Sequence, residues 1–169
     1  MMPKTVSNNL NDDRIDATQQ AAIQRAHERI PVKLSSLAKD LGLRVIASTL
    51  PPGISGEIRP IDGRFVISVN RHDSARRQRF TVAHEIAHFL LHRDQIGSGI
   101  ADDVLYRSSL SDSREAEANR LAADILLPRQ VLSEEISSRK GRSREDLVSE
   151  LAEMFDVSEV AMKIRLGIT

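Results

Sequence analysis

The chain has no cysteine in its 169 residues. That absence excludes a disulfide scaffold, a thiolate zinc finger, an iron–sulfur cluster and a cysteine nucleophile. It is compatible with a reducing cytosol. Net charge is missing too, because 24 basic side chains balance 24 acidic ones. A neutral chain has no global pull toward phosphate, so tight nucleic-acid binding would need a local basic patch. Aromatic residues make up 3% of the chain (Phe65, Phe80, Phe89, Phe155 and Tyr106), poor material for stacking bases. No apolar run approaches the roughly 18–20 residues that span a bilayer. The opening Met1-Met2-Pro3-Lys4-Thr5 leads into Ser7-Asn8-Asn9 and lacks the apolar stretch of a signal peptide. The expectation is a soluble cytoplasmic protein with no membrane association and a flexible N-terminal tail over residues 1–16. What is present, 40% apolar and 28% charged residues, suits a globular domain with a real core.

Helix formers with few breakers run from Asp16 to His27, and Ile30-Pro31 stops them. Leu34, Leu37, Ala38 and Leu41 repeat at helical spacing, and Leu43-Arg44-Val45-Ile46 reads as a strand. Residues 53–70 read as a β-hairpin. Asp62-Gly63 suits a type I′ turn, whose two central residues need positive φ. Phe65, Ile67 and Val69 alternate with Val66 and Ser68, giving one apolar and one mixed face. Pro60 fits a sheet edge or a bulge. Further helices are expected from Asp73 or Ser74 to His92, from Ser111 to Leu127, over 129–138, from Arg144 to Phe155 and from Ser158 to Leu166.

The chemistry is concentrated in His84-Glu85-Ile86-Ala87-His88. Two residues four apart lie about 40° apart on a helix, so both imidazoles can reach one zinc ion, Zn2+, at about 2.0–2.1 Å. Glu85 beside the first ligand can take a proton from water whose pKa the metal lowers toward about 7. A catalytic zinc also needs a third protein ligand and an open position. Asp94 stands where an H-E-x-x-H-x-x-G-x-x-H site would have its last histidine, and Leu91 where it would have its glycine. His92 is two turns from His84, about 12 Å at 1.5 Å per residue, too far to share its metal. Its expected place is the C-terminal end of the helix, where a protonated imidazole is favoured, outside the ligand set but among the residues that surround the ligands. The third ligand then comes from the next helix. Ala118, Leu121, Ala122 and Ile125 form its inward stripe, and Glu115 falls on that stripe while Glu117 sits nearer the flank. The stripe favours Glu115, with Glu117 as the alternative. Asn119 is expected to support a ligand histidine by a hydrogen bond.

Two longer blocks carry a resemblance. Residues 79–92, Arg-Phe-Thr-Val-Ala-His-Glu-Ile-Ala-His-Phe-Leu-Leu-His, resemble the active-site helix of the ImmA/IrrE metallo-endopeptidases, a gluzincin-like family. Residues 115–128, from Glu115-Ala116-Glu117-Ala118-Asn119 to Leu127-Pro128, resemble that family's second block, with Leu121 where the family more often has Phe. Ser55-Gly56, Ile67-Ser68-Val69-Asn70 and the tail from Leu147 to Leu166 fit as well. The resemblance implies an α+β, minimal zincin-like fold: a small twisted sheet of about three strands packed on the H-E-x-x-H helix, with helical N- and C-terminal parts. The peptidase domain would span residues 17–142, with a helix-turn-helix-like tail at 143–169 packed on it. It implies His84, His88 and Glu115 as zinc ligands and Glu85 as catalytic acid/base. It also implies a protein substrate, typically a transcriptional repressor, cleaved in a stress response or a mobile element. A tetrahedral oxyanion needs a donor besides the metal. Tyr106, next to Arg107, is a candidate, and a packing role is the favoured alternative for it. A substrate strand could add to the exposed edge of the sheet containing Phe65–Asn70.

The tail raises a competing class, a DNA-binding or sensor protein that holds zinc without proteolytic turnover. Between Ser143 and Thr169, three basic residues (Arg144, Lys163, Arg165) face six acidic ones (Glu145, Asp146, Glu150, Glu153, Asp156, Glu159). That balance argues against direct nucleic-acid binding. The basic residues Arg71, Arg76, Arg77 and Arg79, and those of the 139–144 linker, are candidate sites for an acidic partner or ordinary solvated surface, the latter favoured.

Overall fold

Short polar side chains start the helices. Asp16 accepts from the Gln19 backbone N–H at 2.8 Å, and the Gln19 side chain accepts from the Asp16 N–H at 3.0 Å, a reciprocal cap that opens α1 (Ala17–His27). Ser74, Ser143 and Ser158 cap α3 (Ala75–Leu91), α6 (Arg144–Phe155) and α7 (Glu159–Leu166) by accepting from a backbone N–H three residues on. The remaining helices are α2 (Leu34–Asp40), α4 (Asp112–Leu126) and α5 (Arg129–Ser138). The structure, a computed structural model, describes residues 9–97, 100–103 and 112–168, and for 100–103 and 112 it describes the backbone alone.

The strands β1 (Arg44–Ser48), β2 (Ile54–Ile61), β3 (Arg64–Asn70) and β4 (Ile100–Asp103) form one sheet in the order β1-β3-β2-β4. β1 runs parallel to β3, and the other pairs are antiparallel. The β2–β3 hairpin turns at Asp62 and Gly63, with φ of 51° and 75°, the positive pair that a type I′ turn requires. The three strands expected from sequence are joined by the short β4. Among the described residues its pairing with β2 ends at Ile58, so Pro60 lies beyond it and its missing N–H costs the sheet no bond there. Because β3 is paired on both sides, a substrate strand cannot add to β3 itself. Among the described residues the sheet's outer strands are β1 and β4.

The middle of α3 is buried from Thr81 to Leu91. A helix packed on several sides can afford apolar residues all round, and α3 contacts β2, β3, α2 and α4. α3 packs on α4, and Ala83 and Ala87 of α3 and Ala118, Leu121, Ala122 and Ile125 of α4 are all six at 0% exposure. Those small residues let the two helices approach closely. One apolar cluster runs from Ile15 through the sheet and α3 to Val148, Leu151, Phe155 and Met162 of the C-terminal helices. Residues 9–16, placed in the N-terminal tail by sequence, lie against the body in this structure: Ile15 is buried, and Asn9 donates to Asp124 of α4 at 2.7 Å.

The arginines before and within α3 make contacts inside the chain, although Arg71 and Arg77 remain exposed. Arg77 donates to Ser55 Oγ at 2.9 Å, Arg71 to the Ala47 carbonyl at 3.1 Å, and Arg79 to the carbonyls of Val32 and Asp156. Arg76 and Arg79 also pair with the Asp156 carboxylate. In the linker, Arg139 pairs with Glu135 and Glu150, and Arg142 with Glu150.

Candidate metal centre

Helix periodicity places His84, His88 and His92 in a row along α3, each one turn after the last. His84 and His88 are almost fully buried. Their Nε2 atoms lie 3.0 Å apart. Glu115 enters from the first turns of α4, with one carboxylate oxygen 3.2 Å from His84 Nε2 and the other 3.2 Å from His88 Nε2. One ligand atom from each of His84, His88 and Glu115 lies within 4.8 Å of the other two. Two imidazole nitrogens and a carboxylate oxygen turned to one point form a donor set suited to a divalent metal ion. The Glu115 side chain is 19% exposed, the most accessible of the three. Hydrogen bonds from His84 and His88 hold the Glu115 carboxyl well below the usual carboxylate range.

Glu85 is completely buried next to His84. Its carboxylate lies beside Gly56 of β2, where a β-carbon would stand 3.7 Å from Oε1. The same β-carbon would sit 2.3 Å from Thr81 Cγ2 and 3.1 Å from the Ser68 carbonyl oxygen. Glycine is required here for close approach of the strand to α3.

Other candidate residues take different places. Glu117 is outside the cluster. It binds Arg14, and its other oxygen lies 4.0 Å from His92 Nε2. Asn119 is exposed and its side chain makes no hydrogen bond among the described residues, so it does not support the ligand histidines. It lies one turn beyond Glu115, and the 40° drift per turn carries it off the inward stripe. His92 does not act as a charged cap on the helix end. It is 1% exposed, and burial together with the neighbouring His88 pushes its pKa down to about 4, so it is neutral near pH 7. Its Nδ1 lies 2.9 Å from His88 Nδ1. Tyr106 and Arg107 lie outside the described residues. Asp12 and Arg14 had no signal in the sequence. They matter only because the chain before α1 folds back to α4, where Arg14 bridges Asp12 and Glu117.

The C-terminal helices α6 and α7 contact one another across a turn at which Asp156 lies in the left-handed region. Arg165, one of the tail's few cations, points inward to Asp124 and the Leu127 carbonyl, both at 2.7 Å. That leaves still less positive charge for DNA. No helix among the described residues is long and apolar enough to cross a membrane.

Comparison with known proteins supplies the family. Residues 38–167 match the family model Peptidase_M78, the IrrE N-terminal-like domain. The chain is 32% identical to the radiation response metalloprotease IrrE of Deinococcus radiodurans, over 82% of this chain and 51% of the relative. A solved structure, a Mycobacterium tuberculosis transcriptional regulator, superposes with a TM-score of 0.59 at 21% identity, covering 99% of this chain and 52% of that one. That likeness supports the α+β fold. The chain spans about half the length of these relatives. On the reach of the family match and the identity to a metalloprotease, the chain belongs to the IrrE N-terminal-like domain family, Peptidase_M78.

Proposed function

We propose that this chain is a zinc-dependent endopeptidase that acts in the cytoplasm on a protein substrate, with a helix-turn-helix transcriptional repressor as the substrate class. The observation that carries the reading is the convergence of His84, His88 and Glu115 beside the buried Glu85. The donor set suits zinc, which takes imidazole and carboxylate ligands and keeps an open position in catalytic sites. Bound zinc would polarise the scissile carbonyl and lower the pKa of water.

The chain's own residues supply the rest. His84, His88 and Glu115 hold the ion between two helices that are locked together by their alanine faces. Glu85 accepts a proton from the attacking water at its carboxylate and returns it to the leaving amine. Burial beside Gly56 keeps bulk water from competing for that carboxylate. A regulatory substrate is supported by the relatives, one described as a radiation response metalloprotease and the other as a transcriptional regulator. The acidic tail, with Arg165 turned inward, supports protein over nucleic acid as the partner.

The test is Glu85→Gln, which preserves shape and removes the base. The variant should retain zinc and lose about 10²–10⁴-fold in cleavage rate, followed on a gel with the repressor encoded in the neighbouring operon as substrate. Wild-type cleavage should stop on chelation. Undiminished cleavage by the variant, or by the chelated enzyme, would refute the assignment.

A further inference from the structure

The buried pair His88–His92 places a second histidine behind the metal ligand. His88 uses Nε2 toward His84 and Glu115, and its Nδ1 lies 2.9 Å from His92 Nδ1. Both rings are essentially fully buried. A neutral imidazole has one N–H and one lone pair, so each assignment forces the next. If Nε2 of His88 gives its lone pair to a metal, its proton is on Nδ1. His92 Nδ1 must then be the acceptor, and the His92 proton is on Nε2. That nitrogen faces Glu117 Oε1 at 4.0 Å. Glu117 is itself fixed by Arg14, which donates to Asp12 through two bonds of 2.8 Å.

We infer that His92 is a positioning residue of the metal centre: it accepts a hydrogen bond from His88 Nδ1–H and so fixes the tautomer and ring plane that present His88 Nε2 to the metal. Glu117 and Arg14 place negative charge and a fixed support beside the far side of His92, which favours its Nε2–H form. The chain thus runs from the ligand on α3, through the end of that helix, to α4 and the segment before α1. Metal-ligating histidines commonly donate their second N–H to a carboxylate or a carbonyl. Here a neutral imidazole does that work, with a carboxylate one step further out. Local geometry allows it: backbone φ and ψ leave the helical region at His92 (−128° and 26°), which ends α3 one turn after His88. Its own backbone N–H still donates to the His88 carbonyl at 2.7 Å.

This role rests on the metallopeptidase reading, and the experiment separates the two. Zinc affinity is measured by competition with a chromophoric chelator for wild type, His92→Phe and His92→Asn. Phe fills space and accepts nothing, whereas Asn carries a carbonyl oxygen near the Nδ1 position. Phe should weaken zinc binding about 10–100-fold, the usual loss when such a partner is removed, and Asn should recover most of it. Long-range nitrogen–proton NMR of the zinc-loaded wild type should place the His88 proton on Nδ1 and the His92 proton on Nε2. That spectrum decides the matter even where His92→Phe does not fold. Wild-type affinity in the Phe variant, or a His92 proton on Nδ1, overturns the role of His92 alone. Failure of the wild type to bind zinc removes the metallopeptidase reading and this role with it.

Discussion

Glu115 and Glu117 are two residues apart on one helix, yet they belong to different parts of the centre. Both oxygens of Glu115 lie 3.2 Å from a ligand histidine, while Glu117 pairs with Arg14 and faces His92. The roughly 100° turn per residue accounts for the split: stepping by two carries the side chain from the inward stripe to the flank. Replacement of Glu115 by Ala leaves two neutral imidazoles and no anionic ligand for the ion. It should strip most of the metal from dialysed protein, measured by elemental analysis. Glu117→Gln keeps the side-chain shape outside the ligand set and should retain most of the metal, with at most a small loss of affinity through His92. The opposite pattern would make Glu117 the ligand. The sequence already pointed to this choice, because Ala118, Leu121, Ala122 and Ile125 mark the buried face of α4 and Glu115 shares it. His92 could be placed around the ligands from sequence, but its direct pairing with His88 in a neutral form could not, because a histidine at a helix end reads as a charged cap until its burial is known.

At the scale of elements, α3 is positioned by how closely β2 can lie against it, and Gly56 sets that distance. A methyl group at Gly56 would meet Thr81 Cγ2 at 2.3 Å and the Ser68 carbonyl at 3.1 Å. Gly56→Ala should therefore push the strand and the helix apart and cost about 1–3 kcal/mol, the usual penalty of overpacking. Thr81→Ser deletes the clashing methyl and keeps the hydroxyl. In urea denaturation the double variant should be more stable than the two separate losses predict. Strict additivity would show that the strand moves against something else. The elements themselves were readable where local chemistry decides them. Asp62-Gly63 specified the hairpin turn, the serines marked helix starts, and the helical spacing of 84, 88, 115 and 118 oriented the site. Strand β4 was not readable, because Ile100-Ala101-Asp102-Asp103 carries no apolar alternation and is a strand through its pairing with β2. The interior position of β3 was equally hidden, since it depends on the parallel partner β1 supplied by a distant segment.

Across the whole molecule, the N- and C-terminal parts meet at one buried carboxylate. Asp124, 1% exposed on α4, accepts from Asn9 at 2.7 Å, from Arg129 at the start of α5 at 3.3 Å, and from Arg165 of α7 at 2.7 Å. The sequence separations, over 100 residues in the case of Asn9, explain why no local pattern announced this junction. The same apolar cluster includes Ile15 and Met162, so the charged junction and the core tie the same ends. Asp124→Asn removes the charge that two guanidinium groups share and leaves the largely buried Arg165 with the Leu127 carbonyl as its remaining acceptor among the described residues. Removing one member of a buried ion pair costs about 3–5 kcal/mol. Arg129 is 35% exposed and can turn to water, which places this loss near the lower figure. If residues 143–169 pack on the peptidase body as one unit, the variant should melt in a single transition at lower temperature, with helix content and metal binding lost together. Hydrogen exchange should show protection falling in α7 and in the segment before α1 at once. An early, separate melting of the C-terminal helices would instead make the tail an independent unit, with Asp124 serving α4 and α5 alone.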